Sequence, residues 1–377
     1  MTEKESALYS HYIIDGIRCD ATPAELLEEC MEFPDQEVAG NFSDIIDEST
    51  DPPVSSFTYD CTLNGHYAKQ TTAAALKERP FRMLYPQHFT RIQIAKALLS
   101  RLWSEGHFRL GDLRIWAQWD WNTRPIGNMA AFYSSAETAS EYLYGLGVRM
   151  TDYMFLESEA ESNVKFYAWL PEYEEANSSD LDLTEPYESS HPWIGEERRC
   201  SRTLIPTKES RIIYIPFDTC TFKLGGSLLA QIQSHNGGAS PQILDPDYFI
   251  DCYEVIRELV EDKIILAGIT VADGGLATAA SNLCGEHGMD IDVSGLITSY
   301  QPTDSTRILF SEIPGVLVQV EEDNYDYFDS QLLLQDVAYY PIGHITDRKG
   351  IRFIEGADRE VAGILASLLA QASEGED

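Results

Sequence analysis

Basic side chains are scarce in this 377-residue chain, with 27 Lys and Arg against 62 Asp and Glu and a formal net charge of −35. Affinity for nucleic acid comes largely from Lys and Arg displacing counterions, so a phosphate-backbone binder is excluded, and binding to anionic membranes is disfavoured for the same reason. No stretch of about 18 consecutive apolar residues occurs, and the N-terminal run MTEKESALYSHYIIDG lacks the basic and apolar regions of a signal peptide. A cytoplasmic protein is expected. The seven cysteines are odd in number, scattered and without a CxxC pair, which predicts ordinary reduced thiols rather than a disulfide framework or a zinc site. The eight histidines show no HExxH or HxH spacing, and GxSxG, Walker A, GxGxxG and kinase signatures are missing. Cys284 lies near His287, but Glu286 and Asp290 deny it the positive surroundings that a reactive thiolate needs.

What is present is an ordinary globular composition, 44% hydrophobic and 11% aromatic, long enough for two domains. Residues 1–52 carry fourteen acidic and two basic side chains and end in a turn-rich run at Pro52-Pro53. They read as an acidic N-terminal arm at the periphery, with some helix where Thr22-Pro23-Ala24-Glu25 offers an N-cap, a proline at the first helical position and an acidic first turn. A second break spans 172–197, where seven acidic and no basic residues lie between Glu172 and Glu188, as in a solvated linker. Between these breaks, over 53–171, helical spacing at Arg91–Trp103 and Ser135–Gly147 alternates with strand patterns at Leu113–Trp121 and Val164–Leu170. Over 198–377, strands are expected at Arg211–Phe217, Ile264–Ala272 and Gly315–Val320. Helices are expected at Gly226–Ser234, Asp247–Asp262, Leu276–Gly285 and, closing the chain, Asp358–Gln371. The aromatic strand Trp116-Ala117-Gln118-Trp119-Asp120-Trp121 is read as packing rather than as a stacking platform for a ligand.

Three segments stand out: Lys223-Leu224-Gly225-Gly226-Ser227-Leu228, Asp273-Gly274-Gly275-Leu276 after a strand, and Phe310-Ser311-Glu312-Ile313-Pro314-Gly315. A glycine pair after a strand lets backbone N–H groups approach a phosphate or a neighbouring strand. In this order and spacing, with Thr90–Leu99, the aromatic strand and Arg202-Thr203-Leu204-Ile205-Pro206 upstream, they resemble the aminoimidazole ribonucleotide synthetase superfamily over about residues 57–355. The resemblance is greatest to the second, auxiliary half of formylglycinamidine ribonucleotide synthase, an amidotransferase of purine biosynthesis.

That resemblance implies a PurM-like two-domain α+β architecture, a ferredoxin-like N-terminal domain plus an α/β C-terminal domain. It also implies a nucleotide cleft at Asp273, Gly274, Gly275, Gly225, Gly226, Ser227 and Glu312. In the family's auxiliary site a Glu and an Asn one helical turn apart hold Mg²⁺ and a nucleotide; here those positions read Lys96 and Ser100. An ammonium in place of a carboxylate repels a metal by several kcal/mol at ~4 Å even at an effective dielectric near 20. The HDxSDGGL run keeps only Asp273 to Leu276, with Ile269, Thr270 and Ala272 before it, and the lysine-bearing GKDS-type run falls at Thr151–Phe155, which has no lysine. Asp273 is then expected only to cap the helix behind it, and Glu312 to be a buried acid satisfying loop amides.

The expectation is a degenerate homologue without Mg-ATP chemistry, its catalytic residues unassigned and no metal or cofactor expected, working as a scaffold or regulatory protein by self-association or by docking on a synthase-like subunit through the family's pairing surface. The alternatives are a split-off half of the amidotransferase, with ATP or ADP and Mg²⁺ retained, and a binder of another anionic ligand facing Lys96.

Overall fold

A computed structural model describes residues 7–31, 58–171 and 197–354, apart from 126, 208, 219, 220, 236, 242, 244, 301 and 302. The remainder of the acidic arm, nearly all of the linker and the closing helix expected at 358–371 lie outside the described residues. The N-terminal part contains the hairpin β1 (Ile13–Ile14) and β2 (Ile17–Arg18), then α1 (Pro23–Glu29), α2 (Asn64–Ala75), α3 (Pro86–Arg101), β3 (Arg114–Trp121), α4 (Asn128–Gly145), β4 (Arg149–Glu157) and β5 (Asn163–Trp169). The C-terminal part runs β6 (Ser210–Pro216), α5 (Leu228–Ile232), α6 (Pro246–Glu261), β7 (Ile265–Val271), α7 (Gly275–Cys284), β8 (Gly288–Asp292), α8 (Ser294–Ser299), α9 (Ser305–Phe310), β9 (Gly315–Glu321), α10 (Glu322–Leu334), β10 (Tyr340–Thr346) and β11 (Gly350–Ile354).

The acidic arm joins the body over residues 7–31. Thr22 and Glu25 form a reciprocal capping box, with the Thr22 N–H donating to Glu25 Oε2 at 2.7 Å and the Glu25 N–H to Thr22 Oγ1 at 3.3 Å. The helix so fixed buries Ala24, Leu27 and Cys30 in the same core as α3 and α4. Strand β3 alternates strictly, sending Ile115, Ala117, Trp119 and Trp121 inward to zero exposure. It pairs parallel with β4 through the α4 crossover and antiparallel with β5, giving the order β4-β3-β5. This βαββ unit is the part of a ferredoxin-like plan that the described residues contain.

The second sheet has the order β11-β8-β10-β6-β9-β7. Its strand β9, Gly-Val-Leu-Val-Gln-Val-Glu, flanked by β6 and the edge strand β7, is apolar almost throughout because helices cover both faces. Val316, Val318 and Val320 pack with Phe249, Ile256 and Val260 of α6, while Leu317 packs with Leu276, Ala280 and Leu283 of α7. The first of these clusters continues into α3, α4 and β3, so the two halves share one core. Trp119 and Trp121 are fully buried within it, as the packing reading expected, with their indole N–H groups donating to Ser135 Oγ and the Asn128 carbonyl. No helix among the described residues is long and apolar enough to cross a membrane.

Candidate functional site

Five segments converge at one place between the halves. The loop from α2 to α3 brings Arg79; one face of α3 brings Gln93 and Lys96. The turn from β7 to α7 brings Asp273 and Gly274, the segment between α9 and β9 brings Glu312, and the Gly225-Gly226 turn before α5 brings a carbonyl.

The Arg79 guanidinium, only 8% exposed, donates through one nitrogen to Asp273 Oδ1 and Glu312 Oε2, both at 2.8 Å, and through another to the Gly226 carbonyl at 2.6 Å. Lys96 Nζ lies 2.5 Å from Asp273 Oδ2, and Gln93 Nε2 lies 3.3 Å from Oδ1. Glu312 Oε1 accepts from the Leu228 and Gly274 N–H groups, each at 2.8 Å. All four carboxylate oxygens are therefore engaged, and two cations face two anions.

The electrostatics follow from burial and these contacts. Burial alone raises the Asp273 pKa, but Arg79 and then Lys96 outweigh it and hold the carboxyl below its usual range. For Glu312 burial wins over Arg79, so its pKa is raised. Burial works against the Arg79 charge, but Glu312 and Asp273 overcome it and the guanidinium is more firmly protonated than usual. His88, on the same helix, is pushed down to about 3 by burial, Arg79 and Arg91, and is neutral.

The glycine turns are forced by space as well as by backbone. Gly275 has φ +67°, and a Cβ there would lie 2.8 Å from the Leu309 and Ser311 carbonyl oxygens; Gly226 has φ +75°, with the Tyr85 ring 2.9 Å from where its Cβ would be. Beside Arg79 and Asp273 a cleft of about 360 Å³ opens, bordered by Ala74, Lys77, Leu228 and Gln231.

Asp273, Gly274, Gly226 and Glu312 meet here, and Glu312 satisfies loop amides. Two expectations need correction. Asp273 is no helix cap: α7 is capped by Gly274 without a side-chain bond, and the carboxylate is taken by Arg79 and Lys96. Ser227 is the cap instead, its Oγ accepting from the Ala230 N–H at 3.2 Å, so it faces its own helix α5. The positions where the resembled family carries metal or phosphate contacts have other duties. Ser100 Oγ donates to the Ala97 carbonyl, Thr270 Oγ1 donates to the Leu99 carbonyl and accepts from the Trp103 indole, and Thr151–Phe155 lies within β4.

Arg79, the centre of the network, carries no sequence motif, and its partners lie 194 and 233 residues away. Elsewhere the Cys284 thiol is pushed up by burial and donates to the His287 carbonyl. No group of three or more His, Cys, Asp or Glu suited to a metal occurs among the described residues. A resident Mg²⁺ does not fit this arrangement: the two carboxylates that could ligate it are already neutralised by tethered cations, and a hard cation needs several free oxygens.

Residues 221–355 match the family of the AIR synthase related protein, C-terminal domain. The chain is 23% identical over 290 residues to the probable phosphoribosylformylglycinamidine synthase, chloroplastic/mitochondrial, of Arabidopsis thaliana, covering 73% of this chain and 19% of the relative. It is 25% identical over 265 residues to phosphoribosylformylglycinamidine synthase of Homo sapiens, covering 66% of this chain and 18% of the relative. The chain thus spans about a fifth of the length of these curated relatives. Among solved structures, Thermotoga maritima PurL complexed with ATP is similar over 73% of this chain and 40% of that one, at 12% identity and a TM-score of 0.48.

Proposed function

Since the chain belongs to the AIR synthase related superfamily and stands close to the phosphoribosylformylglycinamidine synthases, we propose that it is a homologue without magnesium-nucleotide chemistry of its own. It acts by association, with itself or with a synthase-like subunit. The observation that carries this reading is the Lys96–Asp273 contact at 2.5 Å, within a network that leaves no carboxylate oxygen free for a metal. Asp273 and Glu312 remain as structural acids, and the glycine turns hold the loops that they join.

The test is a thermal-shift titration with ATP and ADP, each with and without Mg²⁺, to millimolar ligand. A ligand at 100 times its Kd stabilises a fold by roughly 2.7 kcal/mol, a shift of several degrees. The expected result is no Mg²⁺-dependent rise; a clear rise would overturn the proposal.

A second reading is a subunit that works only when joined to a catalytic partner. Synthase turnover gained on adding such a partner would establish it. A cleft ligand held by Lys96 is disfavoured, because that ammonium is already spoken for by Asp273.

A further inference from the structure

The cleft of about 360 Å³ beside Arg79 is walled by the last turn of α2, the loop behind it and α5, and apolar side chains make up much of its lining: Ala74, Ala75, Pro80, Leu228 and Ile232. Two polar atoms in side chains of this wall, Arg79 Nε and Gln231 Oε1, have no hydrogen-bond partner among the described residues, and both are shut off from bulk water. One is a donor and the other an acceptor. The terminal nitrogens of Arg79 are held by Asp273, Glu312 and the Gly226 carbonyl, so its Nε is the group left over. A buried donor or acceptor without a partner is costly, and native folds keep such groups mostly where a water, an ion or a ligand meets them.

Charge selects the class of ligand. Arg79 and Lys96 are matched by Asp273 and Glu312, and Glu78 at the rim is taken by Lys165 and Asn163. Lys77, also at the rim, is exposed and its charge is solvated. An anion in the cleft would stand beside Asp273, and a cation would stand beside Arg79, each repelled at short range in a partly buried site. The wall therefore asks for an uncharged molecule with an acceptor for Arg79, a donor for Gln231 and a small apolar body. A carboxamide is the simplest group that offers an acceptor and a donor side by side.

We infer that this cleft binds a small neutral carboxamide, its carbonyl oxygen accepting from Arg79 Nε, its amide N–H donating to Gln231 Oε1 and its apolar part lying against Ala75, Leu228 and Ile232. The volume of about 360 Å³ falls at the lower end of the roughly 300–1,000 Å³ of small-molecule pockets, which suits a compact ligand. The inference goes beyond the association reading and does not rest on it, since it needs neither a partner chain nor a pairing surface.

A ligand-observed NMR titration of the full chain tests it, with benzamide as the probe and benzoate and acetophenone as controls of the same shape. Benzamide is expected to bind in the millimolar range. Benzoate brings a charge, and acetophenone keeps the acceptor but lacks the donor, so each should bind about tenfold more weakly or worse, because a site built on buried polar groups rejects an analogue that leaves them unpaired. Gln231→Met keeps the length of the side chain, removes the acceptor and should weaken benzamide by about tenfold. Ala75→Phe fills the cleft and should abolish binding, and the unfolding midpoint of each variant reports whether it folds. Absence of benzamide binding, equal binding of either control, or binding indifferent to either substitution overturns the site and leaves ordered water as the partner of the two atoms. The two controls are read on the native chain, so the outcome does not depend on how the variants fold. ATP and Mg²⁺ are left out of this titration, so its failure and a failure of the nucleotide test are read separately.

Discussion

Replacing Arg79 by alanine removes the centre of the ion network, and the cost can be worked from its contacts. The variant leaves Glu312, whose side chain is 1% exposed, facing Asp273 with no guanidinium between them, and it orphans the Gly226 carbonyl. Removing one partner of a buried pair costs about 3–5 kcal/mol. Because Asp273 keeps Lys96 and Glu312 keeps two amide donors, the lower end, about 3 kcal/mol, is expected. That is a large share of the roughly 5–15 kcal/mol available to a fold. Urea unfolding at pH 7 should show it as a lower midpoint at unchanged slope. The pH dependence carries a sign. In the native chain Asp273 is depressed, so its contribution is present above its unfolded value near ~4 and is lost as pH falls through its folded value. Glu312 is raised, so its contribution is present below its unfolded value and lost as pH rises through the folded one. Without Arg79 the Glu312 pKa rises further, and the variant recovers as it takes up a proton. The gap between variant and native chain should therefore narrow from pH 7 to pH 5. A loss below about 1 kcal/mol, or a gap that widens on acidification, refutes the network as described.

Lys96→Glu places a third carboxylate beside Asp273. At an ammonium position 49% exposed, the ~4 kcal/mol of repulsion expected at 4 Å and a dielectric of 20 is cut by solvent to about 1–2 kcal/mol, read from the thermal midpoint. Lys96→Ala should cost less than about 1 kcal/mol, since Arg79 still covers Asp273. Thr22→Ala removes the side-chain half of the capping box, leaving the backbone N–H of residue 22 to donate to Glu25, and should cost about 1 kcal/mol of global stability; a denaturation midpoint equal to that of the native chain would show that residues 7–31 are not part of the cooperative body.

The elements legible in the sequence are those whose burial is periodic or continuous. β3 alternates without exception, α6 turns one apolar face to β6 and β9, and β9 is apolar on both sides, so each appeared near its observed position. β4 escaped because its uncovered face asks the opposite of it: Met154 and Leu156 point outward, while Asp152 shares their side. β8, β10 and β11 escaped because Asp290, His344 and Arg352 interrupt short strands, and the ion pairs of Asp290 with Arg348 and Arg352 couple neighbouring segments rather than neighbouring residues. The site divides the same way. Asp273, Glu312 and the glycine turns sit in local motifs, whereas Arg79 is one arginine in a loop whose meaning appears only when α3, β7 and α9 are brought together.

On the proposed reading Lys96 stands where the resembled family carries a metal ligand, and this limits what the cleft can regain. A free divalent ion must be captured from solution, while Lys96 and Arg79 are tethered to α3 and its preceding loop and present their charges to Asp273 at a high effective concentration. Any metal entering must displace both, leaving a guanidinium only 8% exposed without its anions, which is the costly state of a buried unpaired charge. Changing Lys96 alone leaves Arg79 in place, and changing Arg79 alone leaves Lys96 beside Asp273. On the proposed reading, nucleotide chemistry is therefore closed off by two residues that act together. The single variants are expected to lower stability without creating Mg²⁺-dependent ATP binding, and only the altered pair opens the two carboxylates to a cation.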